Sequence, residues 1–116
     1  WNTQYAYRIR RWLALNPENY NTYLQMEGIA EKITLLEKIL TANILSFAKG
    51  IGVHIENNIE CKITSISEPY FPTFKQTKLT AFDVEFKTNV FLPNYIGLGK
   101  SSSLGFGIVT SKNGNK

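Results

Sequence analysis

The 116 residues contain one cysteine, one histidine and one methionine. A single cysteine, Cys61, excludes an internal disulfide. It sits beside Ile59 and Ile63 on the apolar phase of a strand-like stretch, the pattern of a buried structural thiol. Such cysteine usage suits a reducing cytosol, so a cytoplasmic location is expected. The lone histidine, His54, lies on the polar phase, and no Cys/His cluster has metal-ligand spacing. Asp83 and Glu85 stand two apart on one strand face, yet no third ligand accompanies them; neither a metal nor another cofactor is expected. Long apolar runs are also lacking. The longest, Ile33 to Phe47, is interrupted by Glu37, Lys38 and Asn43, so it reads as a core helix and not a membrane span. Nothing resembles a targeting signal.

What is present is the balance of a globular protein: 43% hydrophobic and 19% charged residues, with room for one domain and one core. The chain opens at Trp1 with a strand pattern almost at once, so a larger protein is expected, of which residues 1–116 form one domain. The formal net charge of +4 is unevenly spread. Residues 1–60 balance six basic against six acidic groups, whereas residues 61–116 carry seven lysines against Glu68, Asp83 and Glu85. This bias is compatible with nucleic acid without establishing it.

Periodicity orders the elements. In TQYAYRIRRWLAL, Tyr5, Tyr7, Ile9, Leu13 and Leu15 share one phase, and Ala6, Arg8, Arg10 and Trp12 share the other. That predicts a strand with a core face and a solvent face carrying two arginines and a tryptophan. Asn16-Pro17 reads as a cap followed by the first helical residue. Gly28 separates this short helix from a long one, whose stripe is Ile29, Ile33, Leu36, Leu40, Ile44 and Phe47, ended by Gly50 and Gly52. Val53 to Ile66 is either one long strand or a hairpin turning at Asn57-Asn58. Residues 68–78 read as a loop. LTAFDVEFKTNVFL is the clearest strand, with Thr80, Phe82, Val84, Phe86, Thr88 and Val90 on one face. A short strand, Phe106 to Thr110, precedes a polar tail. The expected class is α+β, a ferredoxin-like βαββ(α)β plan: a four-stranded antiparallel sheet, one long helix, and a second helix reduced to a glycine-rich stub. In that plan the first and third strands are central. Arg8 and Arg10 then lie near Asp83 and Glu85, where cross-strand salt pairing competes with ligand binding. The tyrosines fall on apolar phases or in loops, as packing residues do.

The stretch GLGKSSSLGFG, residues 97–107, holds four glycines, three serines and Lys100. It is not a triphosphate loop. Gly99-Lys100-Ser101 supplies the end of G-x-x-x-x-G-K-[ST], but the required first glycine is Asn94, and Gly105 and Gly107 interrupt any following helix. The dinucleotide pattern G-x-G-x-x-G fails at Ser102. Two readings remain. Exposed N–H groups, hydroxyls and one lysine suit the successive phosphates of a nucleic acid strand. Alternatively, the glycines only allow close backbone approach.

The pattern Gly97-x-Gly99-Lys100-x-Ser102-x-x-Gly105-Phe106-Gly107-Ile108 resembles the C-terminal glycine-rich loop of the repeat-associated RNA-binding superfamily. More narrowly, it is similar to CRISPR-associated endoribonucleases that cut repeat precursor RNA into guide RNAs. YRIRRWLAL, the long helix and KLTAFDVEFKTNVFLPNYIGLGK stand in the expected order, so the resemblance covers nearly the whole chain as one C-terminal domain. It implies metal-independent attack of a ribose 2′-OH on the adjacent phosphate, with an N-terminal ferredoxin-like domain of the same protein as partner, CRISPR repeat RNA as ligand and a homodimer as a further option. The implied RNA-binding set is Gly97, Gly99, Lys100, Ser101, Ser102, Ser103, Gly105 and Gly107, with Arg8 and Arg10 from the first strand. Leu104 stands where many relatives carry arginine. The catalytic residues are not identified: His54 lacks a local partner, and such enzymes usually keep these groups in the N-terminal domain. Two other readings stay open, a non-catalytic RNA-binding subunit of the superfamily and a ferredoxin-like regulatory or oligomerisation module without nucleic acid.

Overall fold

The computed structural model describes residues 4–15, 17–52, 59–74, 77–99 and 105–111. The element order is β1 (Tyr5–Trp12), α1 (Pro17–Gln25), α2 (Ile29–Gly50), β2 (Cys61–Ile66), β3 (Thr73–Phe74), β4 (Thr77–Lys78), β5 (Phe82–Thr88) and β6 (Ile108–Ser111). β1, β2, β5 and β6 form an antiparallel sheet in the order β2-β5-β1-β6, so the first strand and the long FDVEFKT strand are central, as the ferredoxin-like plan requires. The second helix of that plan is not found in the described part of 94–104: residues 94–99 form a turn and a bridge. The segment expected to be a plain loop contains the β3–β4 ladder, too short for alternation to reveal, and a Tyr70–Ala81 bridge at its base. Of the stretch 53–66, the described part is a strand from Cys61; residues 53–58, including His54, lie outside the described residues.

Helix α2 packs on one face of the sheet through Leu36, Leu40, Ile44 and Ala48, which recur one turn apart. The facing sheet residues are Tyr7, Ile9, Ile63, Phe82, Val84, Phe86 and Val109, all buried. Each large side chain taken out of water there contributes about 1.5–3 kcal/mol. Ile29, read as the start of the stripe, is instead 65% exposed at the first position of the helix. The Glu31 carboxylate accepts from the Gly28 N–H at 3.4 Å, half of a capping box that needs no N-cap side chain.

Other segments reach both sheet edges and satisfy backbone groups there. On the β2 edge, Glu37 of α2 accepts from the Ile63 N–H at 2.8 Å. On the β6 edge, the segment after β5 runs back along the strand. Tyr95 N–H donates to the Val109 carbonyl, and Val109 N–H donates to the Ile96 carbonyl. Leu92 N–H donates to the buried Tyr7 hydroxyl at 2.6 Å, fixing where that segment leaves the core.

Candidate nucleic-acid interface

β1 alternates regularly as far as Ile9, after which its register against β5 slips before Trp12. Arg11 adopts φ 55, a conformation uncommon for a non-glycine residue. The extra residue is a bulge. Arg10 and Arg11 both face solvent, and Trp12 swings into the core with 0% exposure. The expectation that Trp12 shares the solvent face with Arg8 and Arg10 is therefore wrong by one residue of phase. Asp83 Oδ1 accepts from the Arg11 N–H at 3.0 Å, and the Gly107 N–H is shared between the Arg10 and Arg11 carbonyls at 2.9 Å each. The Trp12 indole N–H donates to Asn43 Oδ1 of α2 at 2.9 Å.

The two arms of the glycine-rich segment lie side by side. Gly97 bridges Ile108, and Leu98 N–H donates to the Gly107 carbonyl at 2.9 Å. Gly99, at φ +86, presses on Trp12 and Asn43; an added Cβ would sit 3.2 Å from both the indole nitrogen and Asn43 Oδ1. At Gly107, φ +72, a Cβ would overlap the Leu98 carbonyl oxygen. At Gly105, φ +91, no described residue beyond its chain neighbours lies within 4 Å of where a Cβ would be. Two of these glycines thus serve close packing, and no described residue beyond its chain neighbours packs on the third. Lys100, Ser101, Ser102 and Ser103 lie outside the described residues. Between the first arm and α2, Asn43, Ser46, Phe47, Gly97 and Gly99 line a groove of about 390 Å³.

Across the sheet face away from the helices, the arginines part company. Arg8 donates through Nε and Nη2 to Glu85 Oε2 at 3.2 and 2.9 Å, the expected salt pair. Arg10 is exposed and forms no ion pair with a described carboxylate; with Arg8, Ser65, Ser67, Asp83 and Glu85 it lines a depression of about 300 Å³. Asp83 is engaged by the Tyr70 hydroxyl, which donates at 2.7 Å. Burial first, and then this carboxylate, push the Tyr70 phenol up to about 12. The Arg11 guanidinium lies 4.3 Å above the ring of Phe106, itself buried with Leu13 and Ala81 in a small second cluster.

The structure adds basic residues that the sequence reading did not select. Lys62 and Lys87 are direct cross-strand partners, both exposed, and a like-charged pair opposite one another is repulsive unless an anion offsets it. Their pairing depends on the β2–β5 register, which periodicity does not reveal. Tyr95 is 76% exposed at φ 70 beside the first arm, unlike the packed Tyr7 and Tyr23. Cys61 is part-buried with its thiol 3.7 Å from the Thr88 hydroxyl, and burial raises its pKa, which makes it a poor nucleophile. Among the described residues, no three His, Cys, Asp or Glu side chains converge on a metal position, and no helix is long and apolar enough to cross a membrane.

Comparison with known proteins joins these features to a family. The model of the Cas6b C-terminal domain matches residues 1–112. The crystal structure of Cas6b superposes with a TM-score of 0.87 at 31% identity, covering 95% of this chain and 56% of that one. A crystal structure of the CRISPR RNA processing endoribonuclease Cas6b gives 0.86 at 31% identity, covering 95% and 55%. Csf5, a type IV Cas6 crRNA endonuclease, shares the fold with a TM-score of 0.72 at 15% identity, covering 95% and 44%. An uncharacterized protein of Methanocaldococcus jannaschii is 38% identical over 101 residues, 87% of this chain and 67% of its own length. The chain thus spans little more than half the length of the Cas6b structures it matches. With the ferredoxin-like sheet, the long helix and the paired glycine arms in place, the chain belongs to the Cas6b C-terminal domain family.

Proposed function

We propose that this chain is the RNA-binding C-terminal domain of a longer, metal-independent endoribonuclease that cleaves CRISPR repeat precursor RNA into guide RNAs in the cytoplasm. The observation that carries the reading is the glycine-rich segment. Its arms are locked against β1, β6 and α2, and they flank Lys100, Ser101, Ser102 and Ser103, four donor-bearing residues in succession. Such a set contacts phosphates without reading bases. Gly97, Gly99, Gly105 and Gly107 shape the loop, Arg10 extends the positive surface along β1, and Arg8 contributes what its pairing with Glu85 leaves.

The chemistry assigned to the whole protein is transesterification. A ribose 2′-OH attacks the neighbouring phosphorus, the 5′-oxygen leaves, and a 2′,3′-cyclic phosphate remains. A general base takes the 2′ proton, and cationic groups stabilise the charge on the phosphorane. This domain holds and orients the strand; the base belongs to an N-terminal ferredoxin-like domain, and a homodimer is a compatible arrangement. The test is incubation of a labelled repeat RNA at neutral pH with chelator. The longer protein should cut at one site and leave a cyclic phosphate, and residues 1–116 alone should bind without cutting. Site-specific cutting by residues 1–116, abolished in His54→Ala, would place the base in this domain. Binding without cutting by the longer protein would identify a non-catalytic subunit instead.

A further inference from the structure

We propose that Arg11 is a contact for the RNA sugar-phosphate backbone, presented by the β1 bulge beside the bare backbone of Gly105. The inference rests on the RNA-binding reading above and adds to it a residue outside the glycine loop.

Three observations converge. The first is the backbone. A regular strand would place only one of Arg10 and Arg11 on the solvent side; the bulge places both there, at the expense of φ 55 at Arg11. Asp83 and Gly107 hold that conformation from two sides. Strained conformations that the surroundings over-determine cluster at functional sites.

The second is the side chain. The guanidinium carbon lies 4.3 Å from the centroid of the buried Phe106 ring, a cation–π contact that restrains the charge at this corner. The ring offers no carboxylate oxygen, so this contact neutralises no charge and leaves the guanidinium donors for a phosphate. Arg8 differs, because its Nε and Nη2 already donate to Glu85. Asp83, the carboxylate bonded at this corner, accepts from the Arg11 backbone amide and the Tyr70 hydroxyl.

The third is access. Gly105 immediately precedes Phe106, and apart from its chain neighbours no described residue lies within 4 Å of where its Cβ would be. A strand can therefore approach the backbone at the point where the guanidinium is pinned.

The test uses the full-length protein and a fluorescently labelled CRISPR repeat RNA, with affinity measured across a series of KCl concentrations. Arg11→Met keeps an aliphatic cover on Phe106 and removes the charge, whereas Arg11→Lys keeps the charge. Arg11→Met should weaken binding about tenfold at low salt. It should also lower the salt slope by about 0.7, the value for one phosphate contact on a single strand, while Arg11→Lys keeps the wild-type slope. If Arg11→Met does not fold, Arg11→Gln, which keeps a planar group on the ring, carries the same comparison. A folded neutral variant with the wild-type slope, whatever its affinity, overturns the proposal, because Arg11 then only covers Phe106. Wild-type protein that shows no salt-dependent binding overturns the RNA-binding reading itself, which distinguishes the two failures.

Discussion

Gly105 and Gly107 stand two residues apart in one motif, both in the left-handed region at φ +91 and +72, yet they do different work. A methyl group at Gly107 has no room, because the Leu98 carbonyl of the opposite arm occupies its place. A methyl group at Gly105 would meet no described residue beyond its chain neighbours. Gly99 sides with Gly107, pressed on Trp12 and Asn43. The two readings of a glycine-rich segment, packing turn and anion cradle, are thus compatible within one motif. Gly99 and Gly107 lock the segment to the core, and no described residue beyond its chain neighbours packs on Gly105.

The sharpest way to break this comparison is to add the methyl groups. Gly107→Ala combines a forbidden contact with an unfavourable φ and should lower unfolding stability by about 3 kcal/mol or more, read by denaturant melts. Stability close to wild type in this variant would dissolve the distinction. Trp12→Phe tests the floor on which Gly99 rests. It removes the indole donor from Asn43 and leaves a small void, and it should lose about 2 kcal/mol in the same melts. Gly105→Ala carries only the left-handed backbone penalty, about 1 kcal/mol. A loss equal to that of Gly107→Ala would show that Gly105 is also a packing glycine.

A pH-dependent effect concerns the Tyr70–Asp83 bond that backs the bulge. Tyr70 is an acid whose folded pKa, about 12, lies above its ordinary value of 10.0. The native state therefore holds this proton longer. The resulting stability is fully present below pH of about 10 and is lost as pH rises toward 12. Burial shifts Tyr7 and Tyr23 in the same direction, so the measurement is a difference: Tyr70→Phe should lose less stability than wild type between those two pH values. Parallel pH profiles would contradict the role assigned to the bond.

Much of this architecture was legible in the sequence. The Leu36-Leu40-Ile44 stripe and the alternation of Phe82, Val84 and Phe86 each follow one period and each bury as that period requires. Their order is enough to suggest the sheet and its central strands, while the resemblance to the endoribonucleases rests on the glycine spacing of residues 97–108. The phase of β1 failed at Trp12 because nothing in RIRRWL marks a bulge. Arginine has no preference for φ 55, and the groups that hold it, Asp83 and Gly107, are distant in sequence. The cross-strand lysines and the Arg11–Phe106 stack were invisible for the same reason, since both arise from pairing between remote segments. The glycine spacing pointed to a special loop, but which glycines pack is decided by Leu98, Trp12 and Asn43 rather than by the motif.

The account stands most directly on whether residues between the locked arms hold RNA by its phosphates. The decisive measurement is the salt dependence of repeat-RNA affinity for the full-length protein carrying Lys100→Ala with Ser102→Ala. The account predicts binding weakened alike for unrelated RNA sequences, with a salt slope reduced by about 0.7 for the lysine contact and no dependence on added nucleoside triphosphate. Affinity and slope both unchanged from wild type would contradict it, leaving the segment as a packing turn alone.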